Sequence, residues 1–167
     1  MGLSGAGFDM AGFLGAISGT VRPGAARPVV VHAAELETLP AGQVHNPTTL
    51  AIAGRLPTVT FELFRQTIPA GESSDMQRHH HETVHYVISG RGHSDIEDDT
   101  EGWAAGDFIN TPPWTWHRHY NDSASDSVEF LTIENSRLLQ ALGVGRRQSA
   151  GLCTVAEARA LFPEEQS

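Results

Sequence analysis

The chain has 167 residues and a formal net charge of -9 at pH 7, with 11 basic residues against 20 acidic ones. This length fits one domain around a single core, and a hydrophobic content of 40% is ordinary for a globular protein. The acidic balance argues against non-specific nucleic-acid binding, which needs a basic surface to displace counterions.

The N-terminal segment, residues 1–27, is predicted to be an arm without regular structure. It is rich in glycine and ends in "TVRPGAARP", where Pro and Gly discourage helices and strands. It has no basic region ahead of an apolar run, and Asp9 interrupts it, so we expect neither a signal peptide nor a membrane span. The only cysteine, Cys153, excludes an intrachain disulfide and favours a reducing, cytoplasmic location.

Short strands dominate the middle of the chain. "VVVH" (29–32) is predicted to be a strand and "AAELETLP" (33–40) a turn or short helix. The next strand lies in "TVTFELFRQTIPAGE" (58–72) and ends at Pro69. Five more strand candidates follow at short intervals, separated by Gly- and Asp-rich turns such as 98–102: 83–89, 92–97, 107–112, 114–120 and 127–134. This spacing predicts an all-β antiparallel sandwich or barrel over residues 28–140.

The C-terminal segment, residues 141–167, is expected to be helical. "SRLLQALG" (136–143) predicts a short helix that ends at glycine and straddles the start of this segment. "TVAEARALF" (154–162) has Thr154 as N-cap and Glu157 three residues later, which is a capping box.

A histidine cluster, "HHHETVH", occupies residues 79–85. Side chains alternate along a strand, so His79 and His81 share one face, His80 points away, and His85 is in phase if the strand stays extended. Imidazole rings bind a metal when several converge on one point about 2.0–2.1 Å away. Downstream, "WHRHYN" places His117 and His119 on a common face.

The histidines lie in a pattern that resembles the two motifs of the cupin family. The first, G-x5-H-x-H-x3/4-E-x6-G, falls on His79, His81, His85 and Gly92, with His85 at the usual Glu position and Ser73 at the opening Gly. The second, G-x5-P-x-G-x2-H-x3-N, falls on Gly106, Pro112, His117 and Asn121, with Trp114 at its inner Gly. The resemblance implies a jelly-roll-like β-barrel and a metal bound by His79, His81, His85 and His117.

A narrower likeness lies within the second motif. "GDFINTPPWTWHRHYN" (106–121) is similar to the corresponding stretch of gentisate-type aromatic-ring dioxygenases, which are generally two-cupin chains. A single cupin with four histidines instead resembles cupin-type polyketide cyclases and small diketone-cleaving oxygenases. The cupin resemblance also implies a homodimer, and an open edge strand would favour such pairing.

An all-histidine set of ligands leaves the metal at its full +2 charge, because no carboxylate offsets it. Such a centre favours an anionic chelating substrate and lowers the pKa of a bound water or phenol. Four ligands leave two octahedral positions open, which suits Fe(II), with Zn, Ni, Cu and Mn as alternatives for the single divalent metal.

The substrate pocket is expected to be walled by Trp114 and Trp116, which suit a flat aromatic or polyketide-like molecule. His119 is the candidate acid or base beside His117. Arg65 and Glu62 lie on opposite faces of one strand, and either could orient the substrate.

The sequence therefore predicts a non-haem Fe(II) dioxygenase acting on a small aromatic or β-dicarbonyl-like substrate. A non-oxidative zinc-dependent cyclase or isomerase is the first alternative. A non-catalytic cupin that binds a small ligand is the second.

Overall fold

The structure is a computed structural model that describes residues 30–42 and 47–163. The arm predicted for residues 1–27 lies outside the described residues. Eleven strands follow one another in the described chain: β1 (Glu37–Leu39), β2 (Thr49–Ile52), β3 (Glu62–Ile68), β4 (Met76–His79), β5 (Thr83–Ser89), β6 (Arg91–Ile96), β7 (Asp99–Ala104), β8 (Phe108–Thr111), β9 (His117–Asn121), β10 (Val128–Glu134) and β11 (Arg147–Gly151).

The strands form two antiparallel sheets. One has six strands in the order β1-β2-β3-β10-β5-β8, and the other has five in the order β11-β4-β9-β6-β7. The predicted all-β, cupin-like architecture is confirmed. The segment expected to be helical beyond residue 140 contains β11, which pairs with β4 and so belongs to the second sheet.

Two α-helices follow the strands closely in the C-terminal part. The first, α1 (Ser136–Ala141), comes directly after β10, and the second, α2 (Val155–Leu161), follows β11. The capping box of α2 is confirmed, because the hydroxyl of Thr154 accepts from the main-chain N–H of Glu157 while the Glu157 carboxylate accepts from the N–H of Thr154. Within the described residues, no helix is long and apolar enough to cross a membrane.

Three local predictions were wrong. Residues 30–32 form no strand, because a β-branched run is extended only where it finds a partner. Residues 114–116 are a loop, since Trp114 has a φ of 59°. Residues 99–102 belong to β7 and not to a turn; their polar side chains face outward on an edge strand, and the turn itself is confined to residues 97 and 98. Strands β1, β2 and β11 were not predicted; of residues 33–40, only Ala33–Glu35 form the expected short helix, a 3-10 helix.

The histidine cluster spans a change of sheet, contrary to the expectation of one extended strand. β4 ends at His79 in the five-stranded sheet, residues 80–82 bend, and β5 begins at Thr83 in the six-stranded sheet. His79 and His85 therefore come from different sheets and face each other across the interior.

The core between the sheets lies next to these histidines. It is formed by buried apolar side chains of both sheets: Ile68, Val87, Trp103, Ile109, Val128 and Phe130. The ring of Phe130 lies 5.4 Å from that of His85 and 5.8 Å from that of His119. A second apolar cluster, formed by Met76, Trp116 and Ala158, joins the five-stranded sheet to α2.

Gly92, the closing residue of the first motif, is fixed by the close approach of its neighbours. A Cβ atom at this position would overlap the main-chain oxygen of Tyr120 and come within 2.6 Å of the ring of Trp103. The motif glycine is therefore required by the packing of β6 between β7 and β9.

We predict that Gly92→Ala lowers the free energy of unfolding by about 3 kcal/mol, because the added methyl group meets main chain that cannot move aside. The matched control is Gly102→Ala on β7, where the nearest atom to a Cβ is 3.8 Å away. That variant should stay within about 1 kcal/mol of wild type in chemical denaturation. Equal stability of the two variants would contradict this account of the motif.

Candidate metal centre

Histidines from both sheets meet in the interior. The rings of His79 and His117 have centroids 4.7 Å apart, and those of His85 and His119 are 4.6 Å apart. Two imidazoles bound side by side to one metal at about 2.1 Å would have centroids roughly 4.5 Å apart. Of the proposed ligands, His79 and His117 are therefore spaced as neighbouring ligands would be.

The tautomers of His79 and His117 are set by main-chain carbonyl groups. Nδ1 of His79 lies 2.8 Å from the oxygen of His81, and Nδ1 of His117 lies 2.9 Å from the oxygen of Thr115. A carbonyl oxygen only accepts, so Nδ1 carries the hydrogen in each ring and Nε2 keeps its lone pair. Such a hydrogen bond typically orients a histidine that binds metal through the other nitrogen.

His85 presents a nitrogen that protein groups leave unsatisfied. Its Nδ1 is 2.9 Å from the hydroxyl of Thr132 on β10. Its Nε2 is buried and has no hydrogen-bond partner among the described residues. An unpartnered buried polar atom is costly, and a metal bound there would satisfy it.

Burial keeps the site histidines neutral. It lowers the pKa of His85 to about 3, with further contributions from His117 and His79. Burial and the neighbouring His81 lower the pKa of His79 to about 4. The pKa of His117 is also held well below its ordinary value, mainly by burial. Neutral imidazole is the form that binds metals.

His81 faces a carboxylate. Its Nε2 lies 3.2 Å from Oε2 of Glu134, and its ring stacks on that of His79 with centroids 3.6 Å apart and planes 8° apart. Burial alone would raise the pKa of Glu134, but the hydrogen bond and the charge of His81 hold it below its ordinary value. Glu134 is therefore an anion at neutral pH.

No closed ligand set is formed with the side chains as they stand. Within residues 30–42 and 47–163, no group of three or more His, Cys, Asp or Glu side chains is arranged so that it could hold a metal ion. The donor chemistry nevertheless fits a metal, because His79 and His117 have Nε2 lone pairs and Nε2 of His85 is unsatisfied. Side-chain movement would be needed to close the set.

His119 differs from the other histidines. The indole N–H of Trp103 donates to the hydroxyl of Ser94, which in turn lies 2.7 Å from Nδ1 of His119. The hydroxyl of Ser94 can donate to Nδ1 or accept from it, and Nε2 of His119 is buried without a hydrogen-bond partner among the described residues. His119 is 1% exposed and does not line the histidine cavity. Its predicted role as an acid or base in contact with substrate finds no support in this position.

A cavity of about 190 Å³ opens beside the histidines. About 150 Å³ is enough for a benzene ring, so the cavity admits a molecule with one ring. Both sheets contribute its lining residues: Leu50, Ile52, Glu62, Phe64, Gln66, Gln77, His79, His81, Thr83, His85, His117, Thr132, Glu134 and Arg147. All four predicted metal ligands and Glu62 are among them.

Three predicted substrate residues lie elsewhere. Trp116 is 1% exposed and packs in the cluster under α2. Trp114 lies against the guanidinium of Arg78, with 4.5 Å between the guanidinium carbon and the ring centroid, outside the cavity lining. Arg65 points outward to Glu129 at 3.1 Å. The tryptophans do not line the cavity because the loop at residues 114–116 carries both to the outer side of the five-stranded sheet, and Arg65 does not because it lies on the outer face of β3.

The sequence analysis missed Glu134, Gln77 and Arg147 as cavity residues. Glu134 could have been found, because Val128, Phe130 and Thr132 alternate to the interior and Glu134 continues the same face. Gln77 precedes His79 by two residues and shares its face for the same reason. Arg147 lies on β11, for which no sequence signal was recognised.

We predict that the metal-free protein loses stability as the pH falls from 7.5 to 5. The buried histidines resist protonation while the unfolded chain takes up protons near pH 6.5, so acid favours unfolding by about 1.4 kcal/mol per pH unit for each such histidine. Urea denaturation across this range measures the slope. His85→Gln should reduce the slope by one histidine's share, and a flat wild-type profile would contradict neutral burial.

Comparisons with known proteins agree with this architecture. Residues 64–134 match the family model described as Cupin domain. A cupin-2 domain of Rhodospirillum rubrum, solved as a crystal structure, superposes with a TM-score of 0.58 at 22% identity, covering 86% of this chain and 93% of that one. At this identity, the likeness concerns the fold.

Two curated relatives differ in activity. The chain is 33% identical over 94 residues to 5-aminosalicylate 1,2-dioxygenase of Comamonas sp, which covers 56% of this chain and 24% of the relative. It is 28% identical over 78 residues to 1-methylthio-D-xylulose 5-phosphate methylsulfurylase of Rhodospirillum rubrum, which covers 47% of this chain and 49% of the relative. The match thus spans about a quarter of the first relative and half of the second. With both motifs in place and two antiparallel sheets around the histidines, the matched part of the chain, residues 64–134, has the features of a cupin domain.

Proposed function

We propose that the protein is a metal-dependent dioxygenase that acts on a small aromatic or β-dicarbonyl-like substrate. The observation that carries the proposal is the group of buried, neutral histidines His79, His85 and His117, with the unpartnered Nε2 of His85 among them, beside a cavity large enough for one ring. The proposed ligands are His79, His81, His85 and His117, and the proposed metal is Fe(II). When bound, it would activate dioxygen and chelate an anionic substrate.

The cavity residues have separate roles in this proposal. Leu50, Ile52 and Phe64 form the apolar wall against which a flat ring would pack. Arg147 supplies a positive charge suited to an anionic substituent, and Asp75 steadies its guanidinium at 3.4 Å. Glu62 remains a candidate for orienting the substrate or accepting its proton.

The similarity to 5-aminosalicylate 1,2-dioxygenase supports the oxidative reaction and an aromatic substrate. That relative is about four times as long as the matched region, so its activity is carried over only as a proposal. A cytoplasmic location, inferred from the single cysteine, also remains a prediction.

A non-oxidative reaction is the second candidate. It is favoured by the similarity to the methylsulfurylase, because the matched region covers 49% of that relative. It is also favoured by the superposition on the cupin-2 domain structure, which covers 93% of that chain. In such a reaction the metal, zinc for example, would hold an enolate for cyclisation or isomerisation.

Oxygen uptake separates the two candidates. Metal-free protein would be loaded with Fe(II) or Zn(II) and offered gentisate-like, salicylate-like and β-diketone compounds in an oxygen electrode. Substrate-dependent oxygen consumption by the iron form alone supports the dioxygenase. Conversion of a substrate by either form without oxygen consumption supports the second candidate.

We predict that His79→Ala and His117→Ala reduce the bound metal from about one per chain to near zero while the fold persists, because each removes a donor with a fixed tautomer. Elemental mass spectrometry and circular dichroism of untagged protein measure the two effects. The matched control is His80→Ala, since His80 faces away and contacts the oxygen of Val144 at 2.7 Å. Metal retained in the first two variants would contradict the ligand assignment.

We also propose that the protein is a homodimer that pairs through the outer face of β5 and β8. Val84, Tyr86, Ile88 and Phe108 are exposed there by 36%, 37%, 42% and 72%, and β8 is an edge strand. The rings of Tyr86 and Phe108 touch with centroids 5.0 Å apart, so the apolar patch is continuous. Exposed apolar patches on sheet edges are typical of association surfaces.

We predict that Phe108→Arg converts the dimer to a monomer. In the variant, forming the same interface would bury a guanidinium without a partner, which costs free energy. Sedimentation equilibrium measures the mass of each species. Leu161→Arg is the control, since Leu161 is 63% exposed on α2, away from this patch. A monomeric wild type, or a Phe108 variant that remains dimeric, would contradict the proposal.

A further inference from the structure

We propose that Glu134 is a ligand of the metal, supplying from β10 the carboxylate that the cupin pattern places at position 85. The inference rests on the proposed metal-dependent function. It changes the expected centre from an all-histidine one with a +2 charge to one that is partly neutralised by the protein.

The register of the six-stranded sheet brings Glu134 to the site. Thr132 is the Cα partner of His85 across β10 and β5, and Glu134 is the partner of Thr83. Side chains two residues apart on a strand share a face, so Glu134 points into the same cavity as Thr132. It lines that cavity together with the histidines.

The contact with His81 has the spacing of two ligands on one metal. Oε2 of Glu134 lies 3.2 Å from Nε2 of His81. Two ligand atoms that bind one metal at right angles, each at about 2.1 Å, are about 3.0 Å apart. Both atoms would therefore be within reach of one metal without a large change in their separation.

Charge also favours Glu134 over the other acid in the cavity. Glu62 lies opposite Glu134 in the register of β3 and β10, but it faces Arg137 at 4.0 Å and accepts a hydrogen bond from Ser136 at 3.1 Å. The ion-pair partner of Glu134 is His81, whose side chain is 14% exposed beside the 13% of Glu134. A carboxylate this buried is costly unless a positive charge compensates it, and a divalent metal would provide that charge.

The test measures metal affinity and not turnover. Metal-free wild type, Glu134→Gln, Glu62→Gln and Glu129→Gln are titrated anaerobically with Fe²⁺ and Co²⁺ in competition with a chelator of known affinity. Removal of a group that only supports the ligands typically weakens metal binding by roughly 10–100-fold. Loss of a direct ligand in Glu134→Gln should therefore weaken it by about 100-fold or more. Glu62→Gln should cost less than about 10-fold. Glu129→Gln, on the outer face of the same strand, should match wild type.

The visible spectrum of the Co²⁺ form provides a second readout. Replacing an oxygen donor should change the absorption bands of metal-saturated Glu134→Gln and leave those of Glu62→Gln as in wild type. Circular dichroism of the metal-free variants verifies folding. If Glu134→Gln does not fold, Glu134→Asp withdraws the carboxylate by one methylene while it keeps the charge, and it should also weaken binding.

The remaining outcomes would overturn the inference in different ways. Unchanged affinity in Glu134→Gln would remove Glu134 from the centre. Tighter binding would show that Glu134 holds His81 away from the metal. Equal losses in Glu134→Gln and Glu62→Gln would indicate a general effect of cavity charge. Failure of wild type to take up any metal would overturn the proposed function as well, whereas the first three outcomes leave it standing.

Discussion

The candidate site depends on hydrogen bonds that hold imidazole rings by Nδ1. Two main-chain carbonyl oxygens fix His79 and His117, and the carbonyl that holds His79 belongs to His81, two residues along the same chain. A carbonyl can only accept, so these bonds choose the tautomer as well as the orientation. Deep burial then keeps the rings neutral by lowering their pKa values. A buried lone pair without a partner costs free energy, and a bound cation would satisfy it.

The distribution of charge around the cavity follows from sheet geometry. Glu62 and Glu134 are direct neighbours across β3 and β10. Their two carboxylates would repel each other if no positive charge lay beside them. Arg137 faces one of them and His81 the other. On the opposite sheet, Arg147 is held by Asp75, which is fully buried. Both signs of charge therefore reach the cavity. The partners Arg137 and Asp75 lie outside its lining, whereas His81 is part of it.

Sequence reasoning located the histidines but not the walls around them. The motif spacing pointed to His79, His85 and His117. Residues that bind one metal must be few and must recur at fixed intervals in the sequence, so such a pattern can be read directly. The fold class followed from the frequency of short strands and turns. The choice of wall residues failed because it assumed that aromatic side chains near a motif face the site, whereas the loop before β9 sends Trp114 and Trp116 outward. Glu134 was within reach of the alternation along β10, but Arg147 was not, since the pairing of β11 with β4 is a long-range contact without a local signal.

Trp114 shows how a departure from a motif can be accommodated. The cupin pattern has glycine at this position, and the φ of 59° explains why, since the left-handed region costs other residues about 1–2 kcal/mol. Here the indole is flanked by Arg78 at 4.5 Å and Arg146 at 5.2 Å, and it contacts His80 at 4.4 Å. Cation–π contacts of this kind contribute about 0.5–1 kcal/mol each, enough to offset the strain. The same backbone turn directs the N–H of Trp114 to the oxygen of His79 at 2.7 Å. The second motif thereby positions His79, a proposed ligand from the first, so the strained loop contributes to the candidate site although the side chain of Trp114 does not line the cavity.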